Sequence, residues 1–196
     1  MNEDDPLDHV HPLLLMIARE EPAPAAQWQR MLEVFRKELP AAPWERLPSP
    51  DIDRDVNAAA VWLAAELKDL PTAKGIFLGL DTLNMEGGRG TNVQFAGSDQ
   101  CDPVDHDESW LEEDLDYGDD HLIRGLVGMH AVYSSPEWEP WSDFCDYAVF
   151  LGYSGIVLGA AMARSAGTRD LLVAWGFHDA FLLGRSLGGK WSPVEG

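Results

Sequence analysis

The chain has 196 residues, 45% of them hydrophobic, and a formal net charge of −20. This composition argues against direct binding to nucleic acid or to anionic membranes, because both interactions need clustered Lys and Arg. A chain of this length buries roughly two-thirds of its unfolded surface, so we expect a single folded domain over residues 1–196.

The two cysteines, Cys101 and Cys145, have no CxxC spacing and are too few for a four-ligand structural zinc site. The first residues, MNEDDPLD, do not place a basic region before an apolar stretch, so a secretory signal is not expected. No motif indicates a cofactor. These features predict a cytoplasmic protein with reduced thiols.

Residues 1–70 are predicted to form a helical N-terminal part. A short apolar helix is expected at 12–20, and a second at 25–39, where apolar side chains recur with helical spacing. Ser49 is placed to cap a third helix, with Pro50 in its first turn and its end at Leu70. The predicted buried stripe of that helix is Ile52, Val56, Ala60, Leu63 and Leu67.

Residues 74–196 are predicted to contain the sheet. Strands are expected at 74–80 and 92–97, joined by a long glycine-containing connection. A β-hairpin is expected from the apolar runs 170–176 and 180–187. Between these pairs lie an acidic loop, 98–120, and a segment, 122–134, whose pattern fits either a helix or a strand.

The longest apolar run, 142–164, is predicted to be a helix. Its uncharged part, 147–163, is at the short limit for crossing a bilayer and has no basic cluster on either flank, so we interpret it as a buried helix. The expected fold class is therefore α+β. It combines an antiparallel sheet of about four strands with the long buried helix that covers it and with the N-terminal helices.

The acidic segment is the most informative feature of the chain. Between Gly90 and Leu122 there are eleven carboxylates and no Lys or Arg. Such a segment must be solvated, bind cations or face a basic partner. A specific divalent-cation site is the weaker hypothesis, because the glycine and the final glutamate of an EF-hand loop are both missing.

Aromatic residues accompany these carboxylates. Trp110 lies inside the acidic segment, and Trp138 and Trp141 lie in SPEWEPW. Aromatic rings beside carboxylates suit Arg and Lys through ion pairing and cation–π contact, but tryptophans can equally pack beneath loops at the edge of a core. The residues predicted to bind a partner are Asp105, Asp107, Glu108, Trp110, Glu112, Glu113, Asp114, Asp116, Trp138 and Trp141.

The sequence favours a soluble acidic protein-binding module that docks a basic protein. One form of it is an immunity-type inhibitor of a basic, nuclease-like toxin or enzyme, in which carboxylates take the positions of substrate phosphates. A second hypothesis is a metal-dependent hydrolase that uses His106, Asp107, His178 and Asp179. A third is a non-catalytic structural or regulatory domain whose charge maintains solubility.

Overall fold

The computed structural model describes residues 13, 23–85, 88–102, 109–112, 115–133, 135–141, 149–165, 167, 169–177, 180–187 and 190–193. The helices in these residues are α1 (Pro24–Glu38), α2 (Ile52–Asp69), α3 (Arg124–Tyr133) and α4 (Phe150–Ser165). Short 3-10 helices lie at Trp44–Arg46, Ser109–Glu112 and Glu139–Trp141. The helix predicted at 12–20 lies outside the described residues, apart from Leu13, which is helical and buried.

The strands form one mixed sheet. They are β1 (Gly75–Met85), β2 (Gly88–Ser98), β3 (Asp116–Tyr117), β4 (His121–Leu122), β5 (Leu171–Phe177), β6 (Ala180–Leu187) and β7 (Lys190–Pro193). Their order is β3-β2-β1-β5-β6-β7, and β4 also pairs with β2. The predicted α+β class is confirmed, and so is the hairpin of β5 and β6.

The sheet differs from the prediction in its pairing and extent. The β1–β5 pair is parallel, whereas every other pair is antiparallel among the described strands. A parallel neighbour needs a crossover connection, and the chain between β2 and β5 includes α3 and α4. The predicted long connection between the first two strands was wrong, because the ladder continues until Met85 pairs with Gly88. The strand prediction relied on apolar side chains and therefore stopped at 80 and 92. Backbone hydrogen bonds do not depend on such side chains, so the pairing continues beyond them.

The first two described helices use their predicted buried faces. On α1 the buried side chains are Trp28, Met31, Leu32 and Phe35. On α2 the stripe is buried as predicted, although Ala60 is only half-buried. The predicted cap was shifted: Asp51, not Ser49, precedes α2, and its Oδ1 accepts a hydrogen bond from the Arg54 N–H at 3.1 Å. A carboxylate at this position also interacts favourably with the helix dipole.

The long apolar helix is buried along most of its described length, α4. Small residues allow this close packing: a Cβ at Gly152 would overlap the Sδ atom of Met31 on α1. Residues 142–148 lie outside the described part of the chain. None of the described helices combines the length and hydropathy that a bilayer span needs.

Side chains alternate between the two faces of the sheet, as strand geometry requires. On β1, Ile76 and Leu78 join the main core beneath the helices, whereas Phe77 joins a second, smaller apolar cluster. On β5, Val173 and Leu172 divide in the same way. The sheet is therefore packed on both faces.

Arg169 closes the end of α2. Its guanidinium donates hydrogen bonds to the carbonyl oxygens of Leu67, Leu70 and Ala73 at 2.8, 3.0 and 2.6 Å. These carbonyls lie in or after the last helical turn, where carbonyls lack a partner within the helix. Partial burial lowers the pKa of Arg169, although the side chain stays charged at neutral pH.

Candidate functional site

The acidic segment carries its own apolar contacts onto the sheet. Trp110 and Cys101 are buried against the second face, and Leu111 and Leu115 pack around them. A Cβ at Gly75 would lie 2.8 Å from Cε3 of Trp110, so this glycine allows the indole to sit directly on β1. The described part of the segment is therefore anchored to the sheet and is not a detached acidic tail.

One exposed part of the segment, residues 116–122, lies at the outer edge of β2. Strand β3 pairs with β2 at Gly97 and Ala96, and β4 pairs with β2 at Val93 and Asn92. The connection between these two short strands is residues 118–120. We call β3, β4 and this connection the acidic edge.

The acidic edge carries three exposed carboxylates, Asp116, Asp119 and Asp120. None of them forms an ion pair with a Lys or Arg among the described residues; the described ion pairs are Arg30–Glu33, Arg46–Glu137 and Arg54–Asp55. Within the described part of the chain, no ion pair compensates the negative charge at this edge.

Helix α2 fixes the backbone of the acidic edge. Oε2 of Glu66 accepts a hydrogen bond from the Asp119 N–H at 3.2 Å, and Nε1 of Trp62 donates to the Asp119 carbonyl at 2.9 Å. The Gly118 N–H also bonds the Phe95 carbonyl of β2 at 3.0 Å. A Cβ at residue 118 would overlap the Glu66 carboxylate, so this approach requires a glycine.

These contacts shift the pKa values of two side chains, Glu66 and His121. Desolvation is the main cause that raises the pKa of Glu66, and the bond from Asp119 opposes it. His121 stacks on Trp62 with ring centroids 4.9 Å apart, and burial lowers the pKa of its imidazole, although the nearby Asp55 opposes this. His121 is therefore neutral at pH 7, and its buried Nε2 has no hydrogen-bond partner among the described residues.

The predicted aromatic anchors are placed mostly inside the protein. Trp138 is fully buried and meets Trp44 edge to face at 5.4 Å, and Trp141 is half-buried against the main core. Trp110 is only 2% exposed. This burial agrees with the alternative interpretation, in which tryptophans pack beneath loops. In this conformation Trp110 and Trp138 do not present their rings to a partner.

Of the predicted binding carboxylates, Asp116 is described with its side chain and is exposed. Asp105, Asp107, Glu108, Glu113 and Asp114 lie outside the described residues, as does the side chain of Glu112 in the 3-10 helix. Their predicted role in partner binding remains a prediction.

A second polar group lies deep in the helical layer. Asp55 of α2 is 3% exposed, and its Oδ2 accepts hydrogen bonds from the Gly125 N–H at 2.7 Å and the Tyr153 hydroxyl at 3.0 Å. Its Oδ1 lies 3.3 Å from Nη2 of Arg54. Burial, followed by the charge of Asp55, raises the pKa of Tyr153, so the hydroxyl stays protonated and acts as the donor.

This buried group joins three helices. Asp55 lies in the first turn of α2, Gly125 near the start of α3, and Tyr153 near the start of α4. A carboxylate at two helix N-termini is favoured by both dipoles. A Cβ at Gly125 would lie 2.5 Å from the tyrosine oxygen, so the group is also tightly packed. Its chemistry suits a structural role that holds α2, α3 and α4 in one arrangement.

The sequence prediction missed Asp55 and Glu66, although the residue pattern of α2 indicated that both carboxylates would be buried. Asp55 and Glu66 fall at helical spacing on the stripe of Ile52, Val56 and Leu63, where a carboxylate must find a partner if the stripe is buried. Both carboxylates do find backbone N–H donors.

The hydrolase hypothesis concerns residues that the structure does not describe with side chains: His106, Asp107, His178 and Asp179. In the part that is described, no group of three or more His, Cys, Asp or Glu side chains is arranged to hold a metal ion.

Comparison with protein-family models, with curated proteins and with solved structures finds no match to this chain. Its function must therefore be inferred from the charge and geometry of the acidic edge and of the buried groups beneath it.

Proposed function

We propose that this protein is an acidic binding module that docks a basic protein through its acidic edge. The observation that supports this most directly is the exposure of Asp116, Asp119 and Asp120 without an ion pair among the described residues. A net charge of −20 adds a long-range field of the same sign.

The physical basis is electrostatic complementarity. Charges of one sign on a surface speed the encounter with an oppositely charged partner and repel partners of the same sign. The effect is screened by salt, with a Debye length of about 8 Å at physiological ionic strength. Because the backbone of the edge is held by Glu66 and Trp62, binding does not have to order it first.

The concrete form of the proposal is an inhibitor of a cationic enzyme, such as an immunity-type protein that neutralises a basic, nuclease-like toxin. Carboxylates at the edge would then take the places of the substrate's phosphates. Asp105, Asp107, Glu108, Glu112, Glu113 and Asp114 remain part of the proposed surface. The proposed setting is the cytoplasm, and neither nucleic acid nor a membrane is a proposed partner.

The experiment compares capture by two charge variants with that by the wild-type chain. One variant combines Asp116→Lys, Asp119→Lys and Asp120→Lys; the control combines Glu33→Lys, Glu38→Lys and Glu45→Lys, at exposed positions of the helical layer. Both change the net charge by the same amount. Each immobilised protein is incubated with lysate at low and moderate salt, and captured proteins are identified, purified and titrated by calorimetry.

The proposal predicts one basic protein that the wild-type chain and the control variant bind with similar affinity and the edge variant binds at least tenfold more weakly. Equal weakening in both variants would mean that only overall charge matters and would support the solubility alternative. Binding that is unaffected by reversal at the edge would contradict the proposed interface.

A further inference from the structure

Strand register places two exposed apolar side chains on one face of the sheet. Tyr117 pairs with Ala96 and Leu122 pairs with Asn92. Because Ala96 and Asn92 are four residues apart on β2, they point to the same side, with Gln94 between them. Ala96 belongs to the second apolar cluster, so Tyr117 and Leu122 lie on the face away from the main core.

Neighbouring residues show how different the two faces are at this edge. His121 points to the helical side, where it stacks on Trp62. Tyr117 and Leu122 are 70% and 36% exposed, and they are two of the three large hydrophobic residues that are exposed in the described part of the chain. At this edge the apolar cluster around Trp110 leaves both side chains accessible to solvent.

The two side chains form a strip of defined length. Four residues of β2 separate them, which corresponds to about 13 Å at roughly 3.3 Å per residue. Half-buried Gln94 lies between them on the same face. Single exposed apolar residues are common on protein surfaces, but two on one face of a fixed sheet edge offer a partner two contact points in a set geometry.

The border of this strip is acidic. Asp120 lies in the acidic edge, and Asp81 of β1 is placed opposite Asn92 on the same face as the strip. Asp116 directly precedes Tyr117 in β3, so its side chain is directed to the other face of this edge. None of the three has an ion pair with a Lys or Arg among the residues described. An apolar centre with a polar, charged rim is the usual composition of a protein interface.

We propose that the strip of Tyr117, Gln94 and Leu122 receives a segment of a basic protein in which Arg side chains flank an apolar side chain. The inference rests on the proposed function and adds the contact surface and the composition of the partner segment. Arg fits better than Lys, because a guanidinium stacks on the exposed Tyr117 ring while it pairs with a carboxylate. A second copy of this chain fits poorly, because its edge carries the same negative charge.

The test uses two synthetic peptides of equal length with the same number of arginines. One places Leu between the arginines, and the other places Ser there. Affinities for the full chain are measured by fluorescence anisotropy at fixed salt. We expect the Leu peptide to bind about tenfold more tightly, because it buries an apolar side chain that the Ser peptide lacks.

The variants locate this preference. The double variant Tyr117→Ser with Leu122→Ser should bind both peptides equally, whereas Val61→Ser, which changes a 74% exposed residue on α2, should keep the preference. All three residues are exposed, and circular dichroism checks that each variant is folded. A third peptide with Lys in place of Arg should bind several-fold more weakly than the Leu–Arg peptide, and Tyr117→Ser should remove that difference.

The outcomes separate this inference from the proposed function. Equal affinity for the Leu and Ser peptides, with binding still weakened by charge reversal at the edge, would overturn the strip but leave the acidic module standing. Binding of both peptides that charge reversal does not weaken would count against the proposed function itself. Self-association of the chain that Leu122→Ser abolishes would show that a second copy occupies the strip, and would also overturn the inference.

Discussion

Removal of the Asp55 carboxylate should destabilise the fold strongly. In Asp55→Ala, the Gly125 N–H and the Tyr153 hydroxyl lose the acceptor that now lies 2.7 and 3.0 Å away. An unsatisfied buried donor costs about 1–3 kcal/mol, so the two together predict a loss of roughly 2–6 kcal/mol in the free energy of unfolding. A domain of this size has about 5–15 kcal/mol in total, so the loss is easily measured.

The assay is urea unfolding followed by tryptophan fluorescence and by circular dichroism. The exposed neighbour on the same helix turn provides the control: Asp53→Ala should cost less than about 1 kcal/mol, since it removes only a favourable interaction with the helix dipole. An unchanged m-value would show that the variants still unfold from a comparable compact state.

A double-mutant cycle tests the tyrosine contact itself. Tyr153→Phe should cost about 1.5 kcal/mol in the wild-type background, where it removes a bond to a carboxylate. In the Asp55→Ala background it should be neutral or stabilising, because it removes an orphaned hydroxyl. Equal costs in the two backgrounds, or a cost below 1 kcal/mol for Asp55→Ala, would refute the reasoning that this buried group holds three helices together.

Three further outcomes are expected. Gly75→Ala should lower the free energy of unfolding by about 1–3 kcal/mol, because its Cβ would press on the Trp110 ring. Gly128→Ala should cost nothing in the same urea assay, because its Cβ would meet its nearest neighbour, Cγ of Pro48, at an ordinary contact distance of 3.7 Å. Burial lowers the pKa of His121 in the folded chain, so the unfolded chain binds more protons and the free energy of unfolding should fall as the pH drops below 6.5. His121→Gln should weaken that fall, and parallel pH profiles of the variant and the wild-type chain would contradict this. Arg169→Met should cost about 2–3 kcal/mol by urea unfolding, since three backbone carbonyls lose their donor, and a loss under 0.5 kcal/mol would contradict that role.

Local patterns predicted much of the fold. The apolar spacing of Trp28, Met31 and Phe35 predicted the buried face of α1, and two apolar runs separated by a short polar link predicted the β5–β6 hairpin. The uncharged run 147–163 predicted a buried helix, and α4 is buried along most of its described length. Each of these signals comes from the residue's own element and needs no knowledge of what packs against it.

Long-range pairing was harder to predict. The two-residue strands β3 and β4 are too short for any alternation to show, and they exist because the edge of β2 supplies their partners. The parallel β1–β5 pair likewise depends on where the connection through α3 and α4 returns the chain. Such features are set by tertiary contacts, which a single sequence does not display.

The candidate site shows the same division. Charge counting located the acidic segment, and Asp116 is exposed as that prediction requires. It did not identify the Glu66 and Trp62 contacts that fix the edge, because those residues lie more than fifty positions away in the chain. It also took Trp110 and Trp138 as surface anchors, although both are buried. Residue type gave the charge of the site, and only tertiary packing decided which rings stay accessible.

The most direct measurement of the central claim is the salt dependence of binding to the captured basic partner, compared for the wild-type chain and the variant reversed at Asp116, Asp119 and Asp120. If these carboxylates meet positive charge on the partner, affinity of the wild-type chain should decline steeply with added salt, and the reversed variant should show a much shallower slope. Identical slopes for the two proteins would contradict the claim that the acidic edge is where binding occurs.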